Sequence, residues 1–185
     1  ARSEESAVQE AQFTQSQDGY RGFRSQLPLP ELQKLFDYWL ERHPDGALPG
    51  RAHIDPVHIP SLLPGICLME IDHPSLKAKV RLAGTRLREG YGMELTGRML
   101  DEALPPDEAR YWQAVAHRVA VQRKPAYGVT RLMGENRPTF HQVWLRLPLA
   151  GENGEVAMMI GYDAFLLSKK ADALVKDSGK IVQIA

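Results

Sequence analysis

The clearest periodic stretch of the chain is "DEARYWQAVAHRVAVQRK" (107–124), where Trp112, Val115, Ala116 and Val119 recur at helical spacing. Acidic residues open this stretch, basic residues close it and Pro125 follows, so the spacing predicts a helix with its ends charged to suit its dipole. A second helical stripe, Leu32, Leu35, Phe36, Trp39 and Leu40, predicts a helix over 30–42 with Pro30 in its first turn and "HPDG" as its stop. Asp55-Pro56 reads as a cap and first position of a short helix that Pro60 and Pro64 cut off.

Period-two alternation marks the strands. "ICLMEI" (66–71) and "KAKVRLAG" (77–84) form one pair around the turn "DHPS", with Ala78, Val80 and Leu82 on one face and Lys77, Lys79 and Arg81 on the other. "AYGVTRLM" (126–133), "TFHQVWLRLPLA" (139–150) and "VAMMIGYDAF" (156–165) follow, separated by "GENRP" and "GENG". In the middle strand, alternation puts His141, Val143, Leu145 and Leu147 on one face and Gln142, Trp144 and Arg146 on the other. The apolar set is expected to face the long helix. Trp144 is then left on the outer face in need of cover. The order of elements predicts an α+β domain with a five-stranded antiparallel sheet.

"VRLAGTRLREGYGMELTGRML" (80–100) carries four glycines but neither GxxxxGK[ST] nor GxGxxG. Its glycines read as the end of a short helix from about Thr85 to Gly90 and as turns, not as a phosphate loop.

This strand, short helix and glycine followed by "ELTGR", with the closing "LRLPLAGENGEVAMMIGYDAF", resemble the PAS-domain pattern. "YWLERHPDGALPGRAHIDPVHIPSLLPGICLMEI" with "RLAGTRLREGYGMELTGR" is similar, more narrowly, to a bacterial PAS-like family of largely uncharacterised proteins. The resemblance spans about Leu32 to Leu167. It implies a sheet in the order 2-1-5-4-3 with small helices on one face, plus the N-terminal helix, and a gap between helices and sheet that can hold a ligand. It supplies no catalytic residues. The pocket is expected from Trp112, Val115, Ala116, Val119, Val143, Leu145 and Met159. PAS-like domains often associate through the N-terminal helix and the outer sheet face, so a homodimer is expected on Leu32, Leu35, Phe36, Trp39 and Trp144.

Composition narrows the chemistry. The chain has 185 residues, 43% of them hydrophobic, which suits one core with extensions. Residues 1–26 read as a polar extension, with Phe13, Tyr20 and Phe23 able to dock, 27–167 as the PAS-like domain, and 168–185 as a polar tail. Lys+Arg and Asp+Glu are both 23, so no global field draws nucleic acid or an anionic membrane. The basic run Lys77, Lys79, Arg81, Arg86 and Arg88 reads as a solvated face. No apolar run reaches the roughly 18 residues of a membrane span, and the start lacks an apolar signal core; a cytoplasmic location is expected.

The single cysteine, Cys67, sits on a strand and lacks the helical motif of flavin photoreceptors. His117 stands at the edge of its helix stripe with nothing else to suggest a haem ligand. His53, Asp55 and His58 could meet a metal, but Asp55 is accounted for by its cap. Asp107 and Glu108 suit a helix N-terminus. No flavin, haem or metal and no catalysis is therefore expected. The expected function is a sensory or regulatory domain that binds a small molecule or a protein partner in signal transduction. A ligand-free dimerisation scaffold and a small α+β enzyme with a cleft acid/base are the alternatives.

Overall fold

The computed structural model describes residues 19–131, 140–178 and 182–184, and side chains within 19–131 and 140–173. Phe13, the loop "GENRP" and the ends of the strands flanking it lie outside the described residues.

Five strands, β1 (Ile66–Ile71), β2 (Ala78–Ala83), β3 (Ala126–Arg131), β4 (Phe140–Ala150) and β5 (Val156–Leu167), pair antiparallel in the order 2-1-5-4-3. Ile66 to Glu70 pair with Tyr162 to Met158, and Cys67 to Ile71 pair with Ala83 to Ala78, as the alternation and turn chemistry require. A sixth strand, β6 (Val182–Ile184), adds to the free edge of β3. The stretch expected as a polar tail thus carries a helix, α6 (Ser168–Ser178), and an edge strand. Edge pairing draws on backbone groups, which leave little trace in side-chain pattern.

Helices cover both faces. On one side lie a helix through 19–26 (α1) and α2 (Pro30–Glu41). Pro30 occupies the first turn of α2, where its missing N–H costs nothing. Leu32, Leu35, Phe36 and Trp39 are buried against Val143, Leu145, Leu147 and Leu149 of β4. Trp39 Nε1 donates to the Pro148 carbonyl at 2.9 Å. Phe23 of α1 packs on both Phe36 and Tyr127, and Tyr20 lies edge-on to Phe36 and Trp39, so this part of the extension docks on the core. On the other side lie α3 (Thr85–Tyr91), α4 (Leu100–Ala103) and α5 (Pro106–Gln122). Trp112, Val115, Ala116 and Val119 of α5 meet Met69, Val80, Trp144 and Met159 in a second core. Gly92, at φ 68°, closes α3 in the left-handed conformation that a glycine adopts without strain.

Two expectations about faces are corrected. Strand β4 points Gln142, Trp144 and Arg146 toward α5, and Val143, Leu145 and Leu147 toward α2. Nearly every β4 residue is buried, because both faces of the sheet carry helices, so alternation separates two faces without saying which is which. The second correction is Leu82. The register between β1 and β2 shifts at Leu68/Met69, where Leu68 pairs with Leu82 but Met69 pairs with Val80. The extra residue, Arg81, turns Leu82 to the opposite face from Ala78 and Val80. The three 3-10 turns Arg51–His53, Pro56–His58 and Pro60–Gly65 lead into β1 and stand beside this outer edge.

Candidate functional site

The gap between α5 and the sheet is built from β4 and β5. Trp144 lies opposite Asp163, and Arg146 opposite Gly161. A Cβ on Gly161 would sit 2.6 Å from Arg146 Nη1 and 2.5 Å from the Leu145 carbonyl oxygen, so only glycine leaves space for the guanidinium. Arg146 is buried. Its Nη2 donates to Asp163 Oδ1 and its Nη1 to the Leu145 carbonyl, both at 2.9 Å. The guanidinium lies 4.8 Å from the centroid of the Trp112 ring and 5.7 Å from that of Trp144. The two indoles meet at 5.3 Å. A cation between aromatic faces and a carboxylate is the arrangement that makes a buried guanidinium tolerable.

Around this pair runs a chain of polar side chains. Tyr91 Oη donates to Gln142 Oε1 at 2.7 Å, and Gln142 Nε2 donates to Asp163 Oδ1 at 2.6 Å. Trp144 Nε1 donates to Tyr111 Oη at 2.9 Å. Asp163 Oδ2 and Arg146 Nε are buried without a hydrogen-bond partner. Burial pushes the Tyr91 phenol up, and the Asp163 charge adds to the push, so Tyr91 stays a neutral donor. Burial also pushes the Cys67 thiol up, which removes thiolate character from it. For Arg146, burial opposes the charge, but its neighbours, Asp163 first among them, together more than offset it, and the guanidinium is held above its usual range.

The structure therefore divides the expected pocket residues. Trp112, Val115, Ala116, Val119 and Met159 share this interior. Val143 and Leu145 lie in the other core, under α2. The expected dimer surface is corrected as well. Leu32, Leu35, Phe36 and Trp39 are fully buried within the chain by the sheet and α1, and Trp144 is fully buried under α5, on the opposite face. A helix stripe of five large apolar residues needs cover, and the chain's own β-sheet supplies it.

Of the interior polar set, Gln142 and Arg146 were missed because alternation assigned them to the outer face, and Tyr91 and Asp163 were not singled out. The signal available was a charged residue inside an otherwise apolar strand, "VWLRLPL", and an acid, Asp163, on the strand beside it.

Other singled-out residues have local work. Asp55 Oδ1 accepts from the Val57 N–H at 3.0 Å as a cap, and His53 Nδ1 accepts from the Gly50 N–H at 3.0 Å. His117 is exposed. Asp107 pairs with Arg110, whereas Glu108 is buried. Lys77 pairs with Asp101, Arg81 with Glu70, and Arg86 donates to Tyr162 Oη. Among the described residues no helix is long and apolar enough to cross a membrane.

Comparison with known proteins agrees with this architecture. No curated protein matches the chain. A light-oxygen-voltage domain from work on a flavin analogue aligns at 15% identity with a TM-score of 0.50, covering 66% of this chain and 92% of that one. The dark structure of the Aureochrome1 blue-light photoreceptor domain aligns at 12% identity and 0.50, covering 68% and 93%. The PAS domain of Bordetella pertussis BvgS aligns at 21% identity and 0.49, covering 66% and 90%. At these identities the likeness concerns the fold. The family model described as PAS domain matches residues 28–164, from just before α2 to Ala164 within β5. With most of its length matched and its strands in the order 2-1-5-4-3, the chain belongs to the PAS domain family.

Proposed function

We propose that this chain is a non-catalytic regulatory domain of cytoplasmic signal transduction, which takes its input from a small molecule or protein partner at its surface and carries no flavin or haem. PAS domains are in general non-catalytic sensory modules. The observation that carries the reading is the filled interior: the Arg146 guanidinium lies over the Trp112 and Trp144 rings, which meet edge-on between α5 and the sheet, and Asp163 pins it. A flavin ring placed there would need to displace this cluster and leave Asp163 buried without its cation, a loss of about 3–5 kcal/mol. Cys67 supports the same reading, since it lies on β1, fully buried, with its thiol pushed up. The residues present do not fit a flavin adduct.

The test is to denature purified protein and measure the released material by absorbance and mass spectrometry. The expected result is no stoichiometric chromophore. A flavin or haem released at one per chain refutes the reading.

A further inference from the structure

The outer face of the sheet is covered by α1 and α2 over β3, β4 and β5. Over β1 and β2 the cover changes. A groove of about 540 Å³ runs there between the strands and the 3-10 turns. Its floor is Ile66, Leu68, Leu82 and Ile160, and its wall is formed by Ile59 and Leu63 with the prolines of the turns. Leu82 is 47% exposed and Leu63 38% exposed. The β-bulge is what brings Leu82 here. Without the extra residue it would sit in the inner core with Val80.

The groove is preformed. Pro56, Pro60 and Pro64 hold the wall in fixed backbone conformations. Gly84 fastens the wall to the end of β2: its N–H donates to the Ile66 carbonyl at 2.8 Å, and a Cβ there would lie 2.4 Å from the Pro64 carbonyl oxygen. The volume lies within the range of small-molecule sites, about 300–1,000 Å³. The lining is apolar except for Thr85 and one charged residue, Arg51. Arg51 is exposed, and its Nη1 donates to the Ile54 carbonyl at 2.8 Å. Among the described residues no carboxylate lies within ion-pair distance of it.

We propose that this groove binds a small lipophilic anion, with an acyl or aryl body on Ile66, Leu68, Leu82 and Leu63 and a carboxylate on Arg51. A single cation at the mouth of an apolar, rigid groove selects for that charge and that body. The wall also touches the helix layer, since Tyr38 Oη of α2 accepts from the Asp55 N–H at 2.8 Å. Only the signalling consequence of binding rests on the regulatory reading above; the site itself stands without it.

The test uses the full chain and decanoate as the probe, with decanol and decylamine as controls, followed by titration calorimetry and amide chemical shifts. Expected is one decanoate per chain, with the largest shifts at Leu63, Leu68, Leu82 and Gly84, and weaker binding of decylamine. Arg51→Gln should weaken decanoate about three- to fivefold, as for a partly exposed ion pair, and leave decanol unchanged. Leu82→Trp, at a half-exposed position, should fill the groove and abolish binding of decanoate and decanol, with circular dichroism confirming the fold. No decanoate binding at millimolar concentration overturns the proposal. So do unchanged affinity in Arg51→Gln, shifts that map elsewhere, and a wild-type dimer that Leu82→Trp dissociates, which assigns the groove to a second copy. Decanoate bound in the groove with no change at α2 keeps the site and removes the signalling role.

Discussion

Cutting Asp163 back to alanine tests whether the interior ion pair holds this domain in one state. Asp163 Oδ1 accepts from Arg146 Nη2 and from Gln142 Nε2, and both ionic side chains are buried. Asp163→Ala leaves a guanidinium in the core with only the Leu145 carbonyl and two indole faces as partners. Breaking a buried pair from one side costs about 3–5 kcal/mol. The orphaned Gln142 amide adds roughly 1 kcal/mol. Set against a total stability of about 5–15 kcal/mol, that is a large fraction. With a urea m-value of about 2 kcal/mol/M, the midpoint should fall by about 2–3 M. The double variant Arg146→Met/Asp163→Ala removes the stranded charge and keeps an apolar side chain between Trp112 and Trp144. It should recover at least about half of the loss, since apolar replacement of both partners is often close to neutral. Urea unfolding followed by tryptophan fluorescence reads the result, because two of the three tryptophans in the chain flank Arg146. A midpoint shift below about 0.5 M for Asp163→Ala, or a double variant no more stable than the single, would refute the assignment of the pair as a coupled element.

Gly84→Ala should destabilise the fold by about 1–3 kcal/mol, because its Cβ meets backbone oxygens of Leu63 and Pro64 that cannot rotate away; thermal unfolding that matches wild type would count against the close approach. His43 provides the pH dependence. Burial under Trp39 lowers its pKa below the usual histidine value, more than its backbone hydrogen bonds raise it. The unfolded chain therefore binds the proton first, so this contribution is complete above about pH 6.5 and is lost as pH falls below that value. His43→Gln should flatten the slope of stability between about pH 7 and 5; an unchanged slope in urea melts across that range would show that His43 is not its source.

Much of this fold was legible in the chain. Local rules sufficed for the helices, since the stripe from Leu32 to Trp39 and the stripe from Trp112 to Val119 need cover wherever they pack. Turn residues and alternation located β1, β2, β4 and β5. The motif order around "RLAGT" and "GENG" implied their arrangement, and the structure has it. Which side of β4 meets which helix was not legible. Val143 and Trp144 are both fully buried, so period two carries no label for the face. The pocket reading failed with it, and Arg146 and Asp163 went unrecognised because their meaning depends on a contact between residues 17 apart on two neighbouring strands. The β-bulge that turns Leu82 outward depends on how β2 is held against β1, as well as on its own side chains. The edge strand Val182–Ile184 depends on the free backbone of β3. Sequence determines locally which residues must leave water; the packing of separate elements decides which neighbour receives them, because burial rewards area and is indifferent to direction.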